Sequence, residues 1–423
     1  MKLITTILIT VFTALPLAGQ IGISGNIHPS GLFGLSDGKE ISLPIRLATL
    51  TASYTYHDLE FVASSSLEYR WKHNQTRAEL REAYLVWYPP FGEVSVGKQI
   101  FAWGMADANN PTDNLSAYDY YYLFDNGTER KIGSPAASVK WYLANWQIQA
   151  VFIPYHEPNR MVYEEDFPIK PPMHPSSSQI QKVKNEQEYG ARIQTSFGNS
   201  DLAVSYFQGH DRLFSPNVFI PTLKPGNPYL PINFAYRKTD AYGADMVNFW
   251  NDFTFRNEAA YFVTGPDWAM LYDEFINANF VDISAEYLQY VSQIEYTGFE
   301  NFTLTTQIIG NHVYSVETSP PGFEASFSQG MGSPFASFLD QALMISLTST
   351  LWDNRLEIKP LVMANLKNKG YMVGFEVDYS PTESINLEAS LNNFIGDDSL
   401  GADYIFNQLE DFSNFRLGLK YSF

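Results

Sequence analysis

Few residues of this 423-residue chain stand in a pattern that chemistry demands. Gly34, Ser36 and Gly38 spell G-x-S-x-G in "GLSDG". A nucleophile elbow needs a strand before its serine and a helix after it. This stretch instead follows Pro29 among several glycines and reads as a loop. Seven histidines, His28, His57, His73, His156, His174, His210 and His312, show neither H-E-x-x-H nor any paired spacing. The absence of cysteine removes thiolate chemistry and any disulfide framework. Asp397, Asp398 and Asp403, in an acid-rich stretch with Glu410 and Asp411, are candidates for weak divalent-metal binding or for bridging to lipopolysaccharide. They lack EF-hand spacing. The expectation is a chain that is not an enzyme and takes no cofactor.

Charge is more informative where it alternates. Arg70, Arg81, Arg192, Arg256, Glu258, Arg416 and Lys420 lie in runs that place polar residues on one face and apolar residues on the other. Period two is a strand. In "FRLGLKYSF", Phe415, Leu417, Leu419, Tyr421 and Phe423 face one way and Arg416, Gly418, Lys420 and Ser422 the other. About eighteen such segments succeed one another, with short turns alternating with longer connections, and 29–44 reads as a loop. Apolar outside, charged inside and aromatics near the strand ends are the pattern of an all-β, transmembrane antiparallel β-barrel. Backbone groups in hydrocarbon find no water, so an open edge is excluded. The last strand, with Phe423, is therefore expected to pair with the first, near 20–28.

Lys2, an apolar stretch over 3–15 and the small residues Ala18 and Gly19 make 1–19 a signal peptide. The barrel then occupies 20–423, in the outer membrane of a Gram-negative cell. A net charge of −19, from 46 acids and 27 bases, excludes nucleic acid as a partner. Mean hydropathy is only −0.19, because alternate residues alone face lipid.

Residues 104–135 interrupt the alternation. They carry Asp107, Asp113, Asp119, Asp125 and Glu129, with Tyr118, Tyr120, Tyr121 and Tyr122. "NNPTDN" is turn chemistry, since proline fixes φ and Asn and Asp bond their own backbone. Folded inward, the tyrosines would pack on the wall and the acids would meet lumenal bases, forming a constriction loop. Its pore-lining candidates are Asp107, Asp113, Tyr118, Asp119 and Tyr120, with Arg70, Arg81, Arg192, Arg256, Glu258, Arg416 and Lys420 on the wall. Glu82 and Lys98 break the pattern. Counted about the "PPF" turn they stand opposite each other, and alternation sends both to the lipid face. Either they form a neutralising cross-strand pair, or a β-bulge turns them inward; the bulge is favoured.

Gly97, Lys98, Gln99, Trp103, Gly104, Asn110, Pro111 and Asp113, in "VGKQIFAWG…NNPTDN", resemble a segment of porin-like and alginate-export-like outer-membrane proteins. The resemblance implies a transport-type barrel and no particular solute. A terminal aromatic likewise resembles the signal read by the barrel-assembly machinery, which would make that machinery a partner through Phe423. The expected function is a porin-like channel for diffusion or selective passage of small polar solutes, in contact with outer-membrane lipid and lipopolysaccharide. Two alternatives stand: a transporter of hydrophobic compounds, with a vestibule built from "FSPNVFIPTLKPGNPYLPINFAY", or a plugged structural barrel. Acids at 107–129, 164–166 and 397–411 predict a cation-preferring mouth, against which Arg192, Arg256, Arg416 and Lys420 pull.

Overall fold

The computed structural model describes residues 19–107, 109–125, 127–163, 167, 175–219, 232–266, 279–280, 282–319, 327–402 and 404–423. The stretch 1–18, the acids 164–166 and Asp403 lie outside the described residues, as does much of the 214–236 connection.

Among the described residues, nineteen strands join in one sheet whose pairings are antiparallel and close on themselves. The first two, Gln20–Ile27 and Ser30–Gly34, form a single stave: Ile27 pairs with Tyr421 and Ser30 with Gly418, so the register carries through without slipping. The barrel thus has eighteen staves. Its last strand, Asn414–Ser422, pairs with Ile385–Ile395 on one edge and with the first stave on the other. Gly25 and Phe423 exchange two backbone hydrogen bonds of 3.0 Å in this seam. Outward positions such as Ile23, Leu50, Val204, Val373 and Leu417 are exposed aliphatics, while Trp87, Phe197, Trp250 and Trp352 gather at the short turns. Several of those turns place a non-glycine residue at positive φ, among them His57, Ala144 and Asn251. Such mirror-type turns match the right-handed twist of the strands they join.

The stretch 29–44, expected as a loop, contributes the strand Ser30–Gly34. Pro29 reads as a stop because it has no N–H to donate. It falls at the break between the two halves of the stave, where its carbonyl still accepts from the Leu419 amide at 3.1 Å and only the donor half of that pair is missing. The Ser30 carbonyl accepts from the Trp71 indole at 2.7 Å.

Two bulges re-aim wall side chains. In Ile45–Tyr56 the register shifts between Arg46 and Ala48, and in Gln75–Trp87 it shifts between Leu80 and Glu82. Arg46 has the parity of Leu50, which is 46% exposed on the outer face, yet Arg46 is 8% exposed. Arg81 has the parity of Leu85 and Trp87 and is likewise buried. Each bulge thus turns an arginine from the lipid side to the lumen. Of the two alternatives for Glu82 and Lys98, the cross-strand pair does not form, and a bulge lies beside Glu82. The hairpin register is set at the turn, with Trp87 opposite Val94, and carried along the ladder it puts Lys98 opposite Ala83. Lys98 Nζ donates to the Leu80 carbonyl at 2.6 Å, and the Glu82 carboxylate accepts from the Ile100 amide at 2.9 Å.

Candidate functional site: the insert across the lumen

The chain leaves the strand Gly92–Gln99, crosses the barrel interior and returns at Ser134–Leu143. Its far end is fixed by one wall carboxylate. Glu258, on Phe253–Gly265, is buried and accepts from the amides of Met105, Ala106 and Thr112 at 3.0, 3.3 and 2.9 Å. It also takes the Thr112 hydroxyl at 2.7 Å and the Asn110 amide at 3.2 Å. Asn110 and Thr112 of "NNPTDN" point their donors at this one acceptor. Beside it, Asp107 exchanges hydrogen bonds with Gln293, and Gln307 donates to the Asp107 carbonyl and accepts from Asn109.

The near end is held by charge. Arg46 and Arg81, aimed inward by their bulges, both bond Glu129, at 2.8 and 2.9 Å. Arg416 meets Asp125 at 2.8 Å. Arg160 bridges Glu68 of the wall and Asp119 of the insert, at 2.7 and 3.0 Å. Within the insert, Lys131 reaches Asp113 at 3.2 Å and lies 3.6 Å over the Tyr118 ring. Tyr120 is buried, and Tyr121 lies between the guanidiniums of Arg70 and Arg160, at 4.9 and 4.4 Å from its centre.

Two wall glycines make the seat. A side chain at Gly190 would meet Leu115 at 2.6 Å, and one at Gly243 would meet Thr112 at 2.7 Å. The insert fills the places where the wall omits side chains.

Not every candidate touches the insert. Arg192 is tied to Asp245 by two bonds of 2.7 and 2.6 Å within the wall. Arg256 touches the insert only through a long bond of 3.4 Å to the Met105 carbonyl, and stands 3.8 Å from Glu295. Lys420 lies near the short turns, in register with Asn386. Asp397 is engaged as a cap, accepting from the Ser399 amide and hydroxyl, and Asp398 opens the adjoining short 3-10 turn. The acids of 107–129, expected to charge the mouth, are instead mostly neutralised: Asp113, Asp119, Asp125 and Glu129 each have a basic partner inside the barrel.

Burial sets the electrostatics at the crossing. It pushes the Asp119 carboxyl up to about 6, with Arg160 pulling the other way. The folded value lies above the ordinary 3.8, so between these pH values the folded protein keeps a proton that an unfolded chain gives up. Asp119 therefore contributes stability at low pH that is lost as pH rises through about 6. A carboxyl stretching band that titrates near pH 6, and is missing in Asp119→Asn, is the expected infrared result. A band lost near pH 4 would place this carboxyl in ordinary surroundings.

The chain matches no protein-family model and no curated protein. Solved structures do resemble it. OccK2 (OpdF) of Pseudomonas aeruginosa, in complex with glucuronate, superposes with a TM-score of 0.54 at 9% identity, over 95% of this chain and 98% of that one. A BenF-like porin from Pseudomonas fluorescens Pf-5 gives 0.54 at 10% identity, over 96% and 98%. OccAB3 of Acinetobacter baumannii gives 0.52 at 10% identity, over 96% and 100%. At these identities the likeness is one of fold, the closed antiparallel barrel of outer-membrane porins.

Proposed function

We propose that this chain is an outer-membrane channel for small polar solutes and that residues 104–135 form its constriction. The observation that carries the reading is the insert itself, seated across a polar lumen and bonded to the wall at both ends. An eighteen-stranded barrel is wide enough to hold an aqueous channel when nothing fills it. The wall near the short turns favours a wet lumen there: Lys140 and Glu93 are 34% and 29% exposed, whereas Arg212 and Glu188 beside the insert are 4% and 0%. One structure of the same fold was solved with glucuronate, which supports small polar molecules as the class of solute. The porin-like side of the motif resemblance fits this reading; contacts with lipid, with lipopolysaccharide and, through Phe423, with the barrel-assembly machinery belong to it.

Selectivity has a location. Glu357, Asp378 and Glu388 stand in register on three neighbouring strands, with Glu376 close by. Like charges directly opposite each other destabilise a sheet. Lys359 offsets Glu376 at 3.7 Å, and the field of the remaining acids, focused by a low-dielectric wall, favours cations. Several bases beside the insert are matched by an acid, as in Arg212–Glu188 and Arg237–Asp211, which reduces their net positive field. In planar bilayers under a KCl gradient we expect stepwise conductance with a cation-preferring reversal potential. The preference should fade towards 1 M salt, where the Debye length is about 3 Å, and in Asp378→Asn with Glu388→Gln. Anion preference at low salt would overturn the assignment.

A second reading, passage of hydrophobic compounds, has one observation in its favour. Phe124 of the insert meets Phe335, Phe394 and Phe412 with ring centres 5.6–6.3 Å apart, and Met161 and Met372 pack alongside. Absence of ohmic steps, with lipid-like molecules retained in the lumen, would favour that reading. Absence of steps with a filled lumen would favour a plugged barrel.

A further inference from the structure

Three adjacent staves end at one level beside the insert. His156 lies just past the strand Trp146–Ile153, Glu188 opens Glu188–Phe197, and His210 closes Ser200–His210. Ile153 is in register with Glu188, and Tyr189 with Gln208, so the three side chains converge. One nitrogen of each imidazole and a carboxylate oxygen of Glu188 lie within 4.8 Å of one another. All three side chains are buried: His156 and Glu188 are 4% and 0% exposed, and His210 is 3% exposed. The geometry points to a divalent-cation site of the zinc type formed by His156, Glu188 and His210.

The donor set decides the class of ion. Two imidazoles and one carboxylate suit zinc and its borderline neighbours, whereas calcium and magnesium ask for oxygen alone. Zinc holds such ligands at about 2.0–2.2 Å. His156 Nδ1 is already 2.9 Å from Glu188 Oε1, so rotation of His210 towards that pair supplies most of the closure. Ligation through Nδ1 places the ring proton of His156 on Nε2, which is buried and faces away from Glu188.

Arg212 is the competitor. Its guanidinium is 2.7 Å from Glu188 Oε2, 3.0 Å from Oε1 and 3.3 Å from His156 Nδ1. The same guanidinium donates to the carbonyls of Asn114 and Leu115, at 3.3 and 3.1 Å, and to that of Glu157 at 3.1 Å. An ion on Oε1 leaves Arg212 its bond to Oε2 and its carbonyls, and draws Nη1 off the shared atoms. Competition with an arginine predicts affinity in the micromolar range, below that of a dedicated structural zinc site.

The test uses the tag-free barrel, folded in detergent micelles and checked by its heat-dependent gel mobility. Zinc chloride is titrated calorimetrically, and cobalt(II) replaces it for absorption spectroscopy. Expected are one saturable site per barrel and a cobalt band characteristic of nitrogen and oxygen ligation. Folded His156→Ala and His210→Ala should each bind at least tenfold more weakly. Wild-type protein that shows neither heat nor a cobalt band would overturn the assignment, whatever the variants do. Binding unchanged in both histidine variants would overturn it as well.

Discussion

Deleting 118–125 and closing the gap with two glycines is expected to raise single-channel conductance roughly threefold or more, because the lumen of an eighteen-stranded barrel is wide once emptied. The deleted stretch contains the buried Tyr118, Asp119, Tyr120, Tyr122 and Leu123. It also removes Asp125 from Arg416 and Asp119 from Arg160, so the remaining insert loses two of its ties to the near wall. Glu258→Ala makes the same point with one atom group. It strands five donors of the far end. Each donor left unpaired in a buried site costs about 1–3 kcal/mol, more together than a short irregular segment holds in reserve. Water entering the vacated space will recover part of that, so the expected result is a noisy, flickering open state with a smaller rise in mean current. If neither variant alters the current, the insert does not stand in the conduction path.

Removing residues 414–423 is expected to abolish the folded barrel. That strand is bonded on both edges, to Ile385–Ile395 over eight register positions and to the first stave on the other side. Without it, two rows of backbone donors and acceptors face hydrocarbon, where each unsatisfied group costs several kcal/mol. Refolding into liposomes, with unheated gel electrophoresis as the readout, should show only the slow, unfolded band. Arg416→Ala is the control: it loses the Asp125 contact and keeps the strand, so its mobility should match the wild type. A compact band from the truncated chain would mean that the first stave and Ile385–Ile395 can close directly.

The barrel is legible because its signal is periodic and repeated. The alternation of Tyr371, Val373, Phe375 and Val377 with Met372, Gly374, Glu376 and Asp378 fixes both faces of one strand, and the other strands repeat it. The site is legible only in composition. That 104–135 carries acids and tyrosines is plain, but Arg46 has the parity of a lipid-facing residue, and no sequence period reveals the bulge that turns it round. Arg160 and Arg212 escape a sequence reading because they lie in connections, where spacing carries no facing information. Gln289, Gln293 and Gln307 read as ordinary lumenal polar residues; Gln293 and Gln307 are bonded to the insert, and Gln289 to the connection 329–333. Arg192 and Lys420 show a further limit of the pattern: alternation gives the facing of a base and not its depth along the axis, and Arg192 is tied within the wall while Lys420 lies near the short turns.

The insert is bonded to Phe253–Gly265 at one end and to Asn414–Ser422 at the other, with six staves between them on the shorter way round. In mechanical terms it is a tie beam. An empty barrel flattens easily into an ellipse, because hydrogen-bonded strands hinge about one another. A beam that joins nearly opposite points of the rim resists both squeezing and spreading along its length. Lateral tension in the surrounding bilayer would then be carried through Glu258 and Arg416 into the segment proposed as the constriction, so the width of the gap would respond to the thickness and pressure of the membrane that holds it.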